Sequence, residues 1–220
     1  MLYSPYWSLR RNRYFGRSFG VMLFRDASNC SNLYKIYVSY ETNQAYLDGI
    51  THLENNGYKI KGIVCDGRKG LIQNINNIPV QMCQFHQVAI ITRYLTRKPK
   101  MPAAMRLREL TLLLARIDKE SFIGGLDKWH MQWKDFLNER TTNKETGKSF
   151  YTHKKLRSAY RSLKSNLPWL FVWYDNIDLK IPNTTNAIDG HFADLKNKLR
   201  NHNGLSKKRK MKFIDEFLKV

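Results

Sequence analysis

A chain of 220 residues with 42% hydrophobic content can bury a real core, which argues against disorder and for one α/β domain or one such domain with a helical insert. Lys and Arg number 38 against 18 Asp and Glu, a formal charge of +20 at pH 7. That field serves no enzyme of a neutral metabolite; it favours a polyphosphate partner, nucleic acid first. No apolar run approaches membrane-spanning length, and no amphipathic helix has a purely basic polar face, so a membrane-surface protein is the weaker alternative.

The three cysteines, Cys30, Cys65 and Cys83, form no CxxC pair and no even-numbered framework, which points to a reducing compartment. The first residues, MLYSPYWSLRRNR, lack the apolar segment of a signal peptide and suit no regular element. Residues 19–24 then read as a strand, Asn29 to Asn32 as a turn, and residues 33–40 as a second strand closing a hairpin. Thr42 is the expected N-cap of a helix carrying Tyr46, Ile50 and Leu53.

The stretch KIKGIVCDGRKGLIQNINNIPVQMCQFHQVAIITRY, residues 59–94, carries the densest information. A short apolar run ended by Asp66-Gly67 predicts a buried strand that presents a carboxylate at its tip. Gly67 and Gly70 permit a sharp turn, and Leu71, Ile72 and Ile75 suggest a helix. A second strand over residues 79–83 leads through Gln84-Phe85-His86 into another helix. The strand exits of such a sheet are where ligands bind.

Beyond a linker at residues 97–102 the pattern turns helical. Residues 103–117 and 120–139 are predicted helices, with Trp129 and Trp133 packing a core. A basic loop over residues 141–152 precedes a helix around residues 156–164 whose polar face is positive. Last come a helix after Asn183-Thr184-Thr185, with the stripe Ile188, Phe192, Leu195 and Leu199, and a basic helix over residues 205–218.

Two carboxylates stand out by context, Asp66 at a strand exit and Asp189 near a helix start. Carboxylates converging from distant positions suit divalent cations that act on phosphodiesters. Cys83 and His86 form a CxxH pair two ligands short of a zinc site, so they are expected to support the site or touch substrate. No RRM, KH or OB signature supports an RNA-binding module.

Cys65-Asp66-Gly67-Arg68-Lys69-Gly70-Leu71, Gln81-Met82-Cys83-Gln84-Phe85-His86 and Asn183-Thr184-Thr185-Asn186-Ala187-Ile188-Asp189-Gly190, with Tyr14-Phe15-Gly16-Arg17-Ser18-Phe19-Gly20 and Tyr40-Glu41-Thr42, resemble the Mutator-like (MULE-related) insertion-sequence transposases of bacteria. The resemblance spans about residues 14–220 and implies an α/β, RNase H-like mixed sheet. Its core would comprise residues 1–98 and 181–220, with an all-α insertion over residues 99–180. It also implies DNA strand cleavage and transfer with Mg²⁺, or Mn²⁺ in its place, on terminal inverted repeats and target DNA. Homo-oligomeric assembly on DNA and nucleoid association follow from the same likeness.

Within that likeness Asp66 is the second acidic ligand of a DDE triad, Cys83 and His86 occupy its C/DxxH motif, and Asp189 stands for its last acidic ligand. The positions matching the family's first Asp-Thr-Thr signature hold Arg11, Asn12 and Arg13. A truncated or frame-shifted copy is therefore expected, either cutting with Asp26 as a substitute ligand or persisting as a non-catalytic DNA-binding remnant.

Overall fold

The computed structural model describes residues 20–68 and 70–220, together with the backbone of two short strands near the N-terminus. The architecture is mixed α/β, with one six-stranded sheet between two layers of helices. The strands are β1 (Leu2–Tyr3), β2 (Tyr6–Ser8), β3 (Gly20–Asp26), β4 (Asn32–Val38), β5 (Ile63–Cys65) and β6 (Val80–Met82).

β3 and β4 form the expected antiparallel hairpin. On the other edge of β3 lie β1 and β2, pairing Leu2 with Asp26 and Tyr6 with Met22 in one antiparallel register. β1 also pairs in parallel with β5, and β5 in parallel with β6. The N-terminal residues, expected to form no element, thus supply a strand to the middle of the sheet. Aromatic residues at Tyr3, Tyr6 and Trp7 have high strand propensity, a signal that outweighs the missing aliphatic run. Arg11 to Arg13 and the Tyr14 to Phe19 part of the motif lie outside the described residues.

Strand alternation divides the sheet's side chains between the two layers. Met22, Phe24, Ile63 and Cys65 face one core together with α1 (Asn43–Asn55), α2 (Gln84–Leu95), α3 (Pro102–Leu112), α4 (Lys119–Asn138) and α5 (Lys154–Leu170). Val21, Leu23 and Val64 face the other, against α7 (Asn186–Asn201) and α8 (Lys207–Leu218). Between those helix sets, α6 (Val172–Asp175) is a single turn.

Several expectations hold at residue level. Thr42 caps α1 by accepting from Ala45 N at 3.1 Å. Trp129 is buried and donates to the Ala103 carbonyl, with Trp133 packed at the margin. Two expectations need correction. The helix predicted after Gly70 is one 3₁₀ turn, Ile72–Asn74, because too few residues separate β5 from β6 for a full crossover helix. The insertion is not all-α: residues 141–152, expected as a loop, contain the hairpin of β7 (Arg140–Thr142) and β8 (Ser149–Tyr151). Arg157 and Arg140 flank the Tyr151 ring, 3.6 and 4.7 Å from its centroid, and this cation–π packing holds a strand pair too short to stand alone.

Gly49 on α1 lies against the Phe24 ring, so an added Cβ would fall inside contact distance of three ring atoms. In an open helix Gly→Ala adds stability through propensity. Here overpacking reverses the sign, and Gly49→Ala is expected to cost about 1–3 kcal/mol in urea denaturation. A gain in stability would contradict the close approach of α1 to β3.

Candidate nucleic-acid interface and carboxylate site

β5 ends at Cys65, and the chain bends at Asp66, which shares its side of the sheet with Val64 and therefore with α7. The turn beyond it depends on two glycines in the left-handed region, Gly67 at φ +86° and Gly70 at φ +79°. Met82 of the neighbouring strand fills the space where a Gly67 side chain would lie. Arg68 then ties the loop down: it meets Glu41 Oε2 at 3.1 Å, donates to the Glu41 carbonyl at 2.9 Å, and donates to Asn43 Oδ1 at 2.6 Å.

Glu41 is a third carboxylate in the electrostatic range of Asp66, but both its oxygens are engaged. Oε1 accepts from the Tyr46 hydroxyl at 2.6 Å and Oε2 takes Arg68. Burial raises its pKa first, with the Tyr46 bond and Arg68 opposing and Asp66 adding to the rise. It braces the loop, one oxygen held by Tyr46 and the other by Arg68.

Cys83 lies buried at the start of α2 and His86 half-buried in its first turn. The Cys83 N–H donates to the Cys65 carbonyl at 2.7 Å, which sets α2 directly beside the Asp66 bend. Gln84 N donates to the Asn183 carbonyl at 2.9 Å, which brings the start of α7 to the same point.

Thr185 joins the pieces. Its hydroxyl donates to Asp189 Oδ2 at 2.8 Å and lies 3.3 Å from Cys83 Sγ and 3.4 Å from His86 Nδ1, while its backbone N–H approaches Cys83 Sγ at 3.3 Å. The sequence suggested Thr185 only as a helix cap. It does precede α7, yet its hydroxyl is spent on the site instead of the helix N-terminus. Its spacing of four residues before Asp189 was the available signal, since such pairs share a helix face.

The structure thus brings Cys83, His86 and Asp189 into one hydrogen-bonded group, with Asp66 close enough to act on the His86 charge. Burial pushes the Cys83 thiol up, but hydrogen bonds from His86 and Thr185 outweigh it and hold the thiol below its ordinary value. Cys65 is pushed by burial up to about 12, with backbone hydrogen bonds from Gly67 and Arg68 only partly opposing. His86 is raised, chiefly by its bond to Cys83; burial opposes, and the charges of Cys83, Asp189 and Asp66 reinforce.

Asp26 does not join them. Its register partner is Leu2, whose own partner on β5 is Ile63. That puts Asp26 three residues along and two strands across from Asp66, an offset on the order of 14 Å. Its carboxylate instead caps the turn, accepting from Ser28 N at 2.8 Å and Ser28 Oγ at 2.7 Å.

Divalent cations fit this group poorly. Among the described residues no three or more His, Cys, Asp and Glu side chains converge so as to hold a metal ion. The strand beside Asp66 offers no further carboxylate, because residues 1–19 contain neither Asp nor Glu. Asp66 and Asp189 remain as two ligands where a two-cation centre needs more. No family model matches the chain, and no curated protein matches it. Among the described residues no helix is long and apolar enough to cross a membrane.

Thr185→Val keeps the shape and deletes the hydroxyl, leaving Asp189 Oδ2 without that donor while the backbone N–H stays on Cys83 Sγ. The expected loss is about 1–3 kcal/mol of unfolding free energy, with most of it restored in Thr185→Ser. His86 gives a pH signature. Its folded pKa lies above the ordinary 6.5, so its stabilising contribution is complete below pH 6.5 and fades as pH rises through the raised value. The stability gap between the parent and His86→Gln, measured by urea denaturation, should therefore shrink with increasing pH; a gap that widens would refute this account.

Proposed function

We propose that this chain is a DNA-binding protein of the Mutator-like insertion-sequence transposase type that holds DNA without cutting it. The observation that carries the proposal is the pairing of a well-formed support group with an incomplete acidic set. Cys83, His86, Thr185 and Asp189 interlock beside the Asp66 bend, but the strand next to Asp66 contributes no carboxylate.

The strand order supports an RNase H-like core. An antiparallel meander places its first strand centrally, two parallel strands extend the sheet from it, and helices cover both faces. Three of the motifs that carry the resemblance, around Asp66, Cys83 and Asp189, meet at one end of this sheet from far apart in sequence. The formal charge of +20 supplies attraction to a polyanion. In this reading the protein acts in the bacterial cytoplasm on element ends, and assembles as a homo-oligomer on them.

The alternative within the same family is metal-dependent cleavage and strand transfer, with Mg²⁺ or Mn²⁺ at Asp66 and Asp189. It needs a third acidic ligand, and Asp26, the substitute that the sequence suggested, is engaged by Ser28 in its own loop.

The test uses a supercoiled plasmid carrying the element's ends, with Mg²⁺ or Mn²⁺. Binding is expected to weaken steeply with salt, by roughly 0.9 logarithmic units per phosphate contact on duplex DNA. No nicking is expected from the parent, and Asp66→Ala is expected to bind as the parent does. Metal-dependent nicking that disappears in Asp66→Ala would replace this proposal with the catalytic one.

A further inference from the structure

α2 and α5 pack side by side, and their outer surfaces enclose a cleft of about 710 Å³. Its walls carry Arg93 and Tyr94 from α2, and Arg161, Lys164, Ser165 and Asn166 from α5. A second hollow of about 370 Å³ shares Ser165 and Asn166 and continues past Trp169 to Gly67 and Arg68, the loop that follows Asp66. The two share Gly67, Ser165 and Asn166 and run from the middle of α5 to the loop that follows Asp66.

Among the described residues neither Arg93 nor Arg161 is paired with a carboxylate, so both guanidinium groups are available to an incoming anion. Lys164 lies 6.0 Å from the Tyr160 ring and, among the described residues, is in no salt bridge. The floor is polar and fixed: Gln87 is buried beneath it, donating to Ser162 Oγ at 3.3 Å and accepting from Asn166 Nδ2 at 2.8 Å. Tyr94, 37% exposed, and half-buried Trp169 add aromatic surface along the same path.

We infer that this cleft binds one strand of DNA, its phosphates on Arg93, Arg161 and Lys164, and leads it toward the Asp66 loop. Unpaired cations lining a groove with interleaved aromatic rings are what single-stranded nucleic acid selects. The inference rests on the DNA-binding reading and specifies the form of DNA and its path.

Two triple variants of equal charge change test it. One is Arg93→Ala, Arg161→Ala, Lys164→Ala. The other is Lys208→Ala, Arg209→Ala, Lys212→Ala, on exposed positions of α8 across the sheet. Each is titrated against a labelled oligonucleotide, single-stranded and duplex, over a range of salt. The cleft variant is expected to lose about tenfold or more in single-strand affinity, with its salt slope reduced by roughly 2, while the α8 variant stays near the parent. Thermal unfolding checks that both variants fold, and Arg161→Ala alone carries the measurement if the triple cleft variant does not.

Equal losses in the two variants would mean diffuse charge attraction and overturn the cleft. A cleft variant that keeps parental affinity would also overturn it, while parental DNA binding leaves the DNA-binding reading standing. Losses on duplex as large as on single strand would overturn the single-strand assignment. A parent that binds neither probe would remove both readings together.

Discussion

A buried amide has to find partners, and three of them hold this molecule's parts in place. Gln81 on β6 donates to the carbonyls of Met82 and Leu170 and accepts from Trp173 N, and Gln84 donates to the same Leu170 carbonyl. Gln87 continues the row into α5. Burying such groups unpaired would cost about 1–3 kcal/mol each, so the end of α5 is fastened to the edge of the sheet wherever these side chains are satisfied. One capacity is left over, Gln84 Oε1, which has no partner.

That fastening explains how the long stretch of α3 to α5 can coexist with a defined site at the sheet's end. α5 returns the chain to the core at Leu170, after which Ile181 packs on the opposite sheet face and α7 follows. The Cys83–Cys65 and Gln84–Asn183 backbone bonds then lock the three strand and helix ends together. The site consists of chain ends held by backbone bonding, with side chains tuned inside that frame. Its electrostatics follow from the same frame: a buried thiol and imidazole support each other's charge between two carboxylates.

Much of this was legible in the sequence because local patterns carried it. The α7 stripe of Ile188, Phe192, Leu195 and Leu199 is buried as its spacing foretold, and Asp66 does sit at a strand exit. The convergence of Asp66, Cys83, His86 and Asp189 was legible only through motif order, since no local rule brings positions a hundred residues apart together. Two features resisted. β1 and β2 are short and aromatic, and they become strands through pairing with β3 and β5, a tertiary effect that overrides a weak local signal. The β7–β8 hairpin sits in polar sequence and is packed by Arg157 from α5, so nothing within residues 141–152 announced it.

The contact between Gly49 and Phe24 has an evolutionary reading. A helix that touches a strand through a bare Cα leaves neither position free to change alone, because any side chain at 49 must displace the ring at 24. Related chains are then constrained as a pair: those with a small residue at position 24 can carry alanine or larger at 49, and those that keep the phenyl ring must keep the glycine. The separation of α1 from the sheet is in this sense inherited as a two-residue unit, and covariation between the two columns is its expected trace.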